Sequence, residues 1–486
     1  MQLDNVHKAP WNFMWIDGQK VKSANSFEVR NPATGEVIGW VPKGGEAETT
    51  QAIEAAARAF PKWSKLPAKE RAHYLQDWAD RILLHQQELA HLLTLEQGKP
   101  FAESMGEIAG AADFIRWYAE EGKRAYGELI PPSRTAQRIL VMRQPVGVAG
   151  LITPWNFPAA MVTRKAAPAL AAGCTVVLKP AKQTPQIAIA LFQHLMDTGI
   201  PEGTANLVTG DAAAIGDTLL TDPRIRKISF TGSTEVGKKL MRQAADQVKR
   251  LSLELGGNAP VIVFPDADLE KAVDAIIDNK FENCGQVCNG INAIYAHIEI
   301  LEQLSKKIAE RVQQLKVGNG TVPGVQVGPL IDEAARQKVE ALVAEAVEKG
   351  ARVLTGGHRL EAGQFQDGTF YAPTVLDRVT RQMAIAHEEI FGPVAPILSF
   401  ATEEEVLSYS NATPYGLAAY VFTRDVGRVF RMSEGLEFGM VAVNGTSLSV
   451  PQAPFGGIKE SGTGREGGHH GLEEYLEYKY VALTLD

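Results

Sequence analysis

Three short segments hold residues whose chemistries complement one another. LSLELGGNAP places Glu254 just ahead of Gly256 and Gly257, FENCGQVCNG has Cys288 at its centre, and TPWNFP carries Asn156. A thiolate is a strong nucleophile, a carboxylate can take a proton from water, and a side-chain amide can donate to developing negative charge. Each residue also has an ordinary explanation. A cysteine in a Gly-rich stretch is more often packed than reactive. A glutamate before two glycines is usually a turn or cap residue, and an asparagine in such a segment is usually a turn-former. Chemistry is favoured because three different roles occur in order at the edges of two α/β series.

Those series must position the three residues. Residues 31–41, NPATGEVIGWV, read as a hairpin whose apolar strand follows a turn. Ile53, Ala56, Ala57 and Phe60 fall at helical spacing, and residues 71–97 continue the pattern. From Val146 the apolar runs VGVAGLIT, TVVLKP, ANLVTG and KISFTG alternate with helical stretches at 159–172, 184–198 and 234–249. Thr184-Pro185 predicts a cap and a first-turn proline, and Gly199 a stop. A second series starts at PVIVF, with a helix over 266–279. Its further strands are expected near 292–296, 352–355, 394–400, 418–422 and 440–443. Short apolar strands separated by helices predict doubly wound parallel sheets, which bind ligands at the carboxyl ends of their strands. Residues 251–290 lie at the boundary of the two series, where a cleft between domains is expected. A hairpin over 126–142 and a tail strand over 474–485 suit subunit contacts.

The chain has 486 residues, too many for one hydrophobic core. Its 45% hydrophobic and 22% charged composition is that of a globular protein. A net charge of −8 argues against a nucleic-acid or anionic-membrane surface. No apolar run approaches the roughly 20 residues that span a bilayer, and Met1 to Trp15 lacks the apolar core of a leader. The expectation is a cytoplasmic chain. Three cysteines, Cys174, Cys284 and Cys288, are too few for a disulfide framework, and no nearby histidine suggests a metal site. Cys174 and Cys284 read as small buried residues. Reversible pairing of Cys284 with Cys288 is the less favoured reading.

These segments resemble the aldehyde dehydrogenase superfamily over nearly the whole chain. Two signatures carry the resemblance: Phe281-x-Asn283-x-Gly285-Gln286-x-Cys288, and Glu254-Leu255-Gly256-Gly257, with 33 residues between the glutamate and the cysteine. PWNFP, KPAKQTP, FTGSTEVG, HEEIFGP, APFGGIKESG and GREGG extend it. The resemblance implies two doubly wound α/β domains with a small oligomerisation hairpin and tail. Residues 1–125 and 143–255 would bind the dinucleotide, 256–447 would be the catalytic domain, and 448–469 would return to the first. Residues 126–142 and 470–486 would form a homodimer or homotetramer. It also implies that Cys288 adds to the aldehyde and that Asn156 and the Cys288 backbone N–H hold the oxyanion. Glu254 would activate water against the thioester, with Lys165 and Glu466 passing protons. An esterase or a non-catalytic protein of the same fold are the rivals. Retention of Cys288, Glu254 and Asn156 argues against the second.

The cofactor and substrate residues follow from the same resemblance. Trp155, Lys179, Gly232, Ser233, Glu389 and Phe391 would contact the dinucleotide, Gly232 and Ser233 at a strand-to-helix turn where a helix N-terminus faces the pyrophosphate. Lys182 stands where NAD-preferring members carry glutamate, so NADP is expected to be preferred over NAD. The overall character is closest to succinate-semialdehyde dehydrogenases, whose first carboxylate-binding arginine matches Arg164. Their second arginine is replaced by Glu282, and their serine aligns with Val450. Three readings of Glu282 follow: it pairs with Arg164, it binds a polar group of the substrate, or it turns away. Lactaldehyde and glycolaldehyde dehydrogenases, similar through GQVCN, give the alternative substrate class.

Overall fold

The computed structural model describes residues 11–485. The leader reading of the N-terminus lies, up to residue 10, outside the described residues. Among these, no helix is long and apolar enough to cross a membrane.

Five parallel strands form the centre of the first sheet, in the order Arg250–Glu254, Ile225–Thr231, Val148–Ile152, Thr175–Lys179, Ala205–Leu207. They are buried almost throughout, which is why they read as continuous apolar runs rather than alternating ones. Met14–Ile16 and Gln19–Val21 extend one edge antiparallel, and Gly462–Thr463 closes the other. Separate hydrophobic clusters fill the two faces. The strand order reverses between Val148–Ile152 and Ile225–Thr231. The loops leaving these two strands diverge and leave a crevice at the carboxyl edge.

Two helices pack here with caps that pattern reading misplaces. Pro185–Met196 begins with proline in its first turn, as the sequence predicts, but Thr184 makes no side-chain cap. Glu96 accepts instead from the backbone of Gln186 (2.7 Å) and Ile187 (3.0 Å). Glu107 serves Pro158–Ala172 in the same way, through Ala159 and Ala160. The helix predicted over 234–249 stops at Ala244. A turn of 3-10 helix follows, and Val248 adopts positive φ to turn the chain into the next strand.

The second sheet runs Arg352–Thr355, Thr374–Asp377, Val394–Phe400, Ile291–His297, Ala259–Val263, Ala418–Phe422, Met440–Val443. All but the first are parallel. Thr374–Asp377 was not foreseen, because four residues between a proline and a basic turn carry no usable period. One large cluster spanning residues 259–455 forms this core. The three-stranded antiparallel sheet of Glu128–Ile130, Gln137–Pro145 and Leu476–Thr484 joins the expected hairpin and tail. The expected N-terminal hairpin is Ser26–Arg30 against Val37–Pro42.

The chain leaves the first sheet at Glu254 and enters the second at Ala259, with four residues between. Ala259 pairs with Ile291, so the segment bearing Cys288 also precedes an amino-terminal strand end. The carboxyl edge of the first sheet therefore meets the amino edge of the second. Carboxyl-end binding holds for the first sheet only.

Candidate active site

Cys288 sits on an unusual turn. Helix Leu269–Phe281 ends, and Asn283, Cys284 and Gly285 take successive left-handed conformations with φ of 49°, 57° and 73°. For a residue with a side chain this costs roughly 1–3 kcal/mol. Gly285 is required on a second count, since a Cβ there would meet the Gly392 carbonyl. The turn is held from several sides. Gln286 donates to the Asn283 carbonyl (3.0 Å) and accepts from the Ile331 backbone (2.8 Å). The Tyr420 hydroxyl donates to the Asn289 carbonyl at 2.6 Å. Cys284 is buried in the core of the second sheet, and all three thiols are free.

Asn156 is brought to this turn. Its Nδ2 donates to the Gln286 carbonyl at 3.1 Å, which uses one of its two hydrogens. Its own carbonyl accepts from Lys99 Nζ (2.8 Å) and Asn283 Nδ2 (2.9 Å). Among the described residues, no acceptor engages the Cys288 backbone N–H.

Cys288 is half-buried, and burial pushes its thiol up to about 12. Glu254 and Glu389 push in the same direction, while Arg164 opposes them. Glu254 ends its strand 5% exposed, with one carboxyl oxygen lacking any partner. Burial and the Glu466 carboxylate hold it well above the usual carboxylate range, against Lys165, Arg465 and Arg164. Lys165 Nζ donates to Glu466 at 2.5 Å and to Ser229 at 3.3 Å. Lys165, Glu466 and Glu254 thus form one buried group behind the nucleophile.

Cys288 and Arg164 line a single cavity of about 750 Å³, within the usual range for small-molecule sites. Arg164 is 5% exposed, lies between the rings of Phe114 and Phe455 (4.4 and 4.9 Å), and donates to Ser449. Its Nε has no partner, and among the described residues it forms no ion pair. Of the three readings of Glu282, pairing with Arg164 is not what the structure holds. Glu282 lies on the cavity wall with Glu103 and Asp278. Burial raises Glu282, and it raises Glu103 to about 8.

Val450 requires a correction. It is half-buried and does not line the cavity; Ser449 does, and it contacts Arg164. Neighbouring residues of an extended segment point to opposite sides, so an alignment shift of one residue selects the wrong side chain. The alternation of Ser447, Leu448, Ser449 and Val450 was the signal that could have found it. Glu103 and Glu107 were missed because nothing local connects their helix to the nucleophile.

The crevice of the first sheet gathers the other expected residues. Trp155 and Phe391 meet edge to face at 5.5 Å between centroids. Glu389 accepts from the Gly257 backbone at 3.0 Å. Ser233 caps helix Thr234–Ala244 directly after Gly232. Lys179 ends its strand, with burial lowering it to about 8. Lys182 is exposed, 5.9 Å from the Phe27 ring. Thr153 and Thr231 leave buried hydroxyls without partners at the edge of the two strands that flank the crevice. A polar, phosphate-bearing dinucleotide fits these groups. Among the described residues no cluster could hold a metal ion.

Comparison with known proteins gives a consistent picture. The description "Aldehyde dehydrogenase family" matches residues 15–481. The chain is 51% identical to succinate-semialdehyde dehydrogenase [NADP(+)] of Escherichia coli, over 98% of this chain and 97% of that protein. It is also 51% identical to a glutarate-semialdehyde dehydrogenase of Pseudomonas putida, over 98% and 97%. A 3-sulfolactaldehyde dehydrogenase of Pseudomonas putida is 51% identical over 96% of each chain. A crystal structure of an NADP-dependent enzyme from E. coli superposes with a TM-score of 0.96 at 50% identity, covering 99% of both chains. The chain belongs to the aldehyde dehydrogenase family, and its activity is that of an NAD(P)-dependent aldehyde dehydrogenase.

Proposed function

We propose that this enzyme oxidises a short aldehyde with an anionic group at its far end, succinate semialdehyde foremost, using NADP in preference to NAD. One observation carries the reading: a buried arginine with no carboxylate partner lines the same cavity as the Cys288 thiol. An unpaired buried charge is costly, and an incoming anion removes that cost. The relatives support the class. Three proteins of equal identity are named for succinate semialdehyde, glutarate semialdehyde and 3-sulfolactaldehyde, and all three substrates end in a carboxylate or sulfonate.

In this reading Arg164 and Ser449 hold the anion and direct the aldehyde carbon towards Cys288. The sulfur attacks after losing its proton, and the alkoxide is held by the spare Asn156 hydrogen and the Cys288 N–H. One such donor contributes typically ~2.7–4 kcal/mol to transition-state stabilisation. The dinucleotide supplies the acceptor for hydride. Trp155, Phe391 and Glu389 would hold its nicotinamide end, Gly232 and Ser233 its pyrophosphate, and Lys179 and Lys182 its adenosine end, Lys182 favouring a 2′-phosphate. Glu254 then takes a proton from the water that attacks the thioester, and its raised affinity for protons makes it an effective base. Residues 1–125, 143–255 and 448–469 form the cofactor-binding part, and 256–447 the catalytic part. Residues 126–142 and 470–486 mediate self-association.

The test is a kinetic panel of distal-anion and neutral hydroxyaldehydes with both cofactors. The anionic substrates should lead in kcat/KM, with Arg164→Met losing about 10–100-fold on them alone, as expected for a charge-assisted contact. Lys182→Glu should shift preference towards NAD. Equal efficiency on neutral aldehydes, unchanged in Arg164→Met, would overturn the reading.

A further inference from the structure

Lys99 is buried close to the site, and the steps above make no use of it. It precedes helix Phe101–Glu121, and its side chain is 0% exposed. Its Nζ donates to Glu107 Oε2 at 2.5 Å and to the Asn156 carbonyl at 2.8 Å, and lies 3.7 Å from the Phe157 ring centroid. All three contacts serve one stretch of chain, since Glu107 in turn accepts from the backbone of Ala159 (2.8 Å) and Ala160 (3.2 Å). The Asn156 carbonyl also accepts from Asn283 Nδ2 at 2.9 Å, so both of its lone pairs are used. Asn283 belongs to the left-handed turn ahead of Cys288, and its backbone N–H donates to Glu103 Oε2 at 2.8 Å. Glu103 and Glu107 share one face of helix Phe101–Glu121. Lys99 is itself held in place. Its backbone N–H donates to the Gln97 side chain (2.9 Å), and the Phe101 N–H donates to the Gly320 carbonyl (2.9 Å). Gly320 packs so closely that a Cβ there would fall 2.3 Å from the Lys99 carbonyl oxygen.

A lysine and a glutamate buried together add little to stability compared with apolar side chains of the same volume. What they hold supplies a better reason for the pair. Lys99 does not line the cavity, so any effect it has on the reaction passes through Asn156. We propose that Lys99 is a positioning residue for the oxyanion hole: it fixes the Asn156 main chain so that the spare amide hydrogen meets the oxygen of an aldehyde bound to Cys288. The proposal rests on Asn156 and the Cys288 N–H being the oxyanion donors. Asn156 Nδ2 gives one hydrogen to the Gln286 carbonyl. The amide is planar, so pinning that hydrogen and the main chain leaves one direction for the second. Donors of this kind stabilise charge because they are in place before it develops. Without Lys99 the Asn156 carbonyl keeps only Asn283, and the loop loses its tie to the start of helix Phe101–Glu121. A misplacement of about 1 Å in such a site can cost about 100-fold in rate.

The experiment uses the full-length enzyme with NADP and succinate semialdehyde. Enzyme is kept in excess over aldehyde, so that a single turnover of hydride transfer is read as reduced nicotinamide. The alkoxide exists only in this half of the reaction, between sulfur addition and hydride loss. Lys99→Met should slow the step about tenfold to 100-fold, while Kd for NADPH stays at the parent value. Asn156→Ala should slow it about 100-fold or more. Adding Lys99→Met to Asn156→Ala should cost less than about twofold further, because the lysine then has no donor to place. A lysine that only supported the fold would cost the same factor in both backgrounds. That result, or a parent rate for Lys99→Met, would overturn the proposal while leaving the oxyanion reading intact. If Lys99→Met does not fold with Glu107 left unpaired, Lys99→Met/Glu107→Gln takes its place in the same comparison, since glutamine removes the lone charge and keeps an acceptor for Ala159 and Ala160. A parent rate for Asn156→Ala would instead sink the oxyanion reading, and the proposal with it.

Discussion

Glu103 and Glu282 put two carboxyl groups on the wall of a cavity whose inner end holds an arginine awaiting an anion. Two carboxylates there would repel a carboxylate substrate by Coulomb interaction across a poorly solvated gap. Burial resolves the conflict by favouring their neutral forms. Glu103 is raised to about 8, with Glu282 adding to the shift and Lys99 opposing it. A group with a raised pKa stays protonated below that value, so Glu103 is uncharged at neutral pH and gains charge as pH rises through about 8. KM for succinate semialdehyde should therefore climb above pH 8, while KM for a neutral aldehyde stays flat. Glu103→Gln should remove the climb. A KM profile for the parent that is level from pH 7 to beyond pH 9 would count against this account.

Helix starts at the scale of elements depend on residues far away in sequence. Glu96 binds the first free N–H groups of Pro185–Met196, and Glu107 those of Pro158–Ala172 while also meeting Lys99 at 2.5 Å. The second helix carries both Arg164 and Lys165, so the glutamate at its start helps orient two site residues. Removing a cap of this kind leaves buried donors unsatisfied, each at about 1–3 kcal/mol. Glu96→Ala should lower the thermal midpoint clearly while leaving KM unchanged, since Glu96 contacts a helix that carries no substrate residue. An unchanged midpoint in differential scanning calorimetry would show that water satisfies those groups.

Across the whole molecule, two sheets face edge to edge, and a third, small sheet joins the first core through Leu476. Its tail strand pairs with Gln137–Pro145 over nine residues, from Leu476 opposite Pro145 to Thr484 opposite Gln137. Tyr478 and Tyr480 are 64% and 61% exposed there, with Leu129 and Leu483 also open. Apolar aromatic surface of this kind marks an interaction site. Replacing Tyr478 and Tyr480 with aspartate should reduce the sedimenting mass relative to the parent. A parent that already sediments as a monomer, or variants of unchanged mass, would exclude this surface from assembly.

The sequence by itself determined the kinds of chemistry and the frame that carries them. Apolar runs between helices encode doubly wound sheets, and Cys288, Glu254 and Asn156 stand in signatures whose spacing survives translation into structure. Such patterns are local, with periods of two or of three to four residues, and a linear reading captures them. Only the tertiary structure decided what each charge meets. It separated Arg164 from Glu282, set Ser449 rather than Val450 against the guanidinium, and replaced the Thr184 cap with Glu96. Burial and partner distance control these outcomes, and both arise when remote segments pack together.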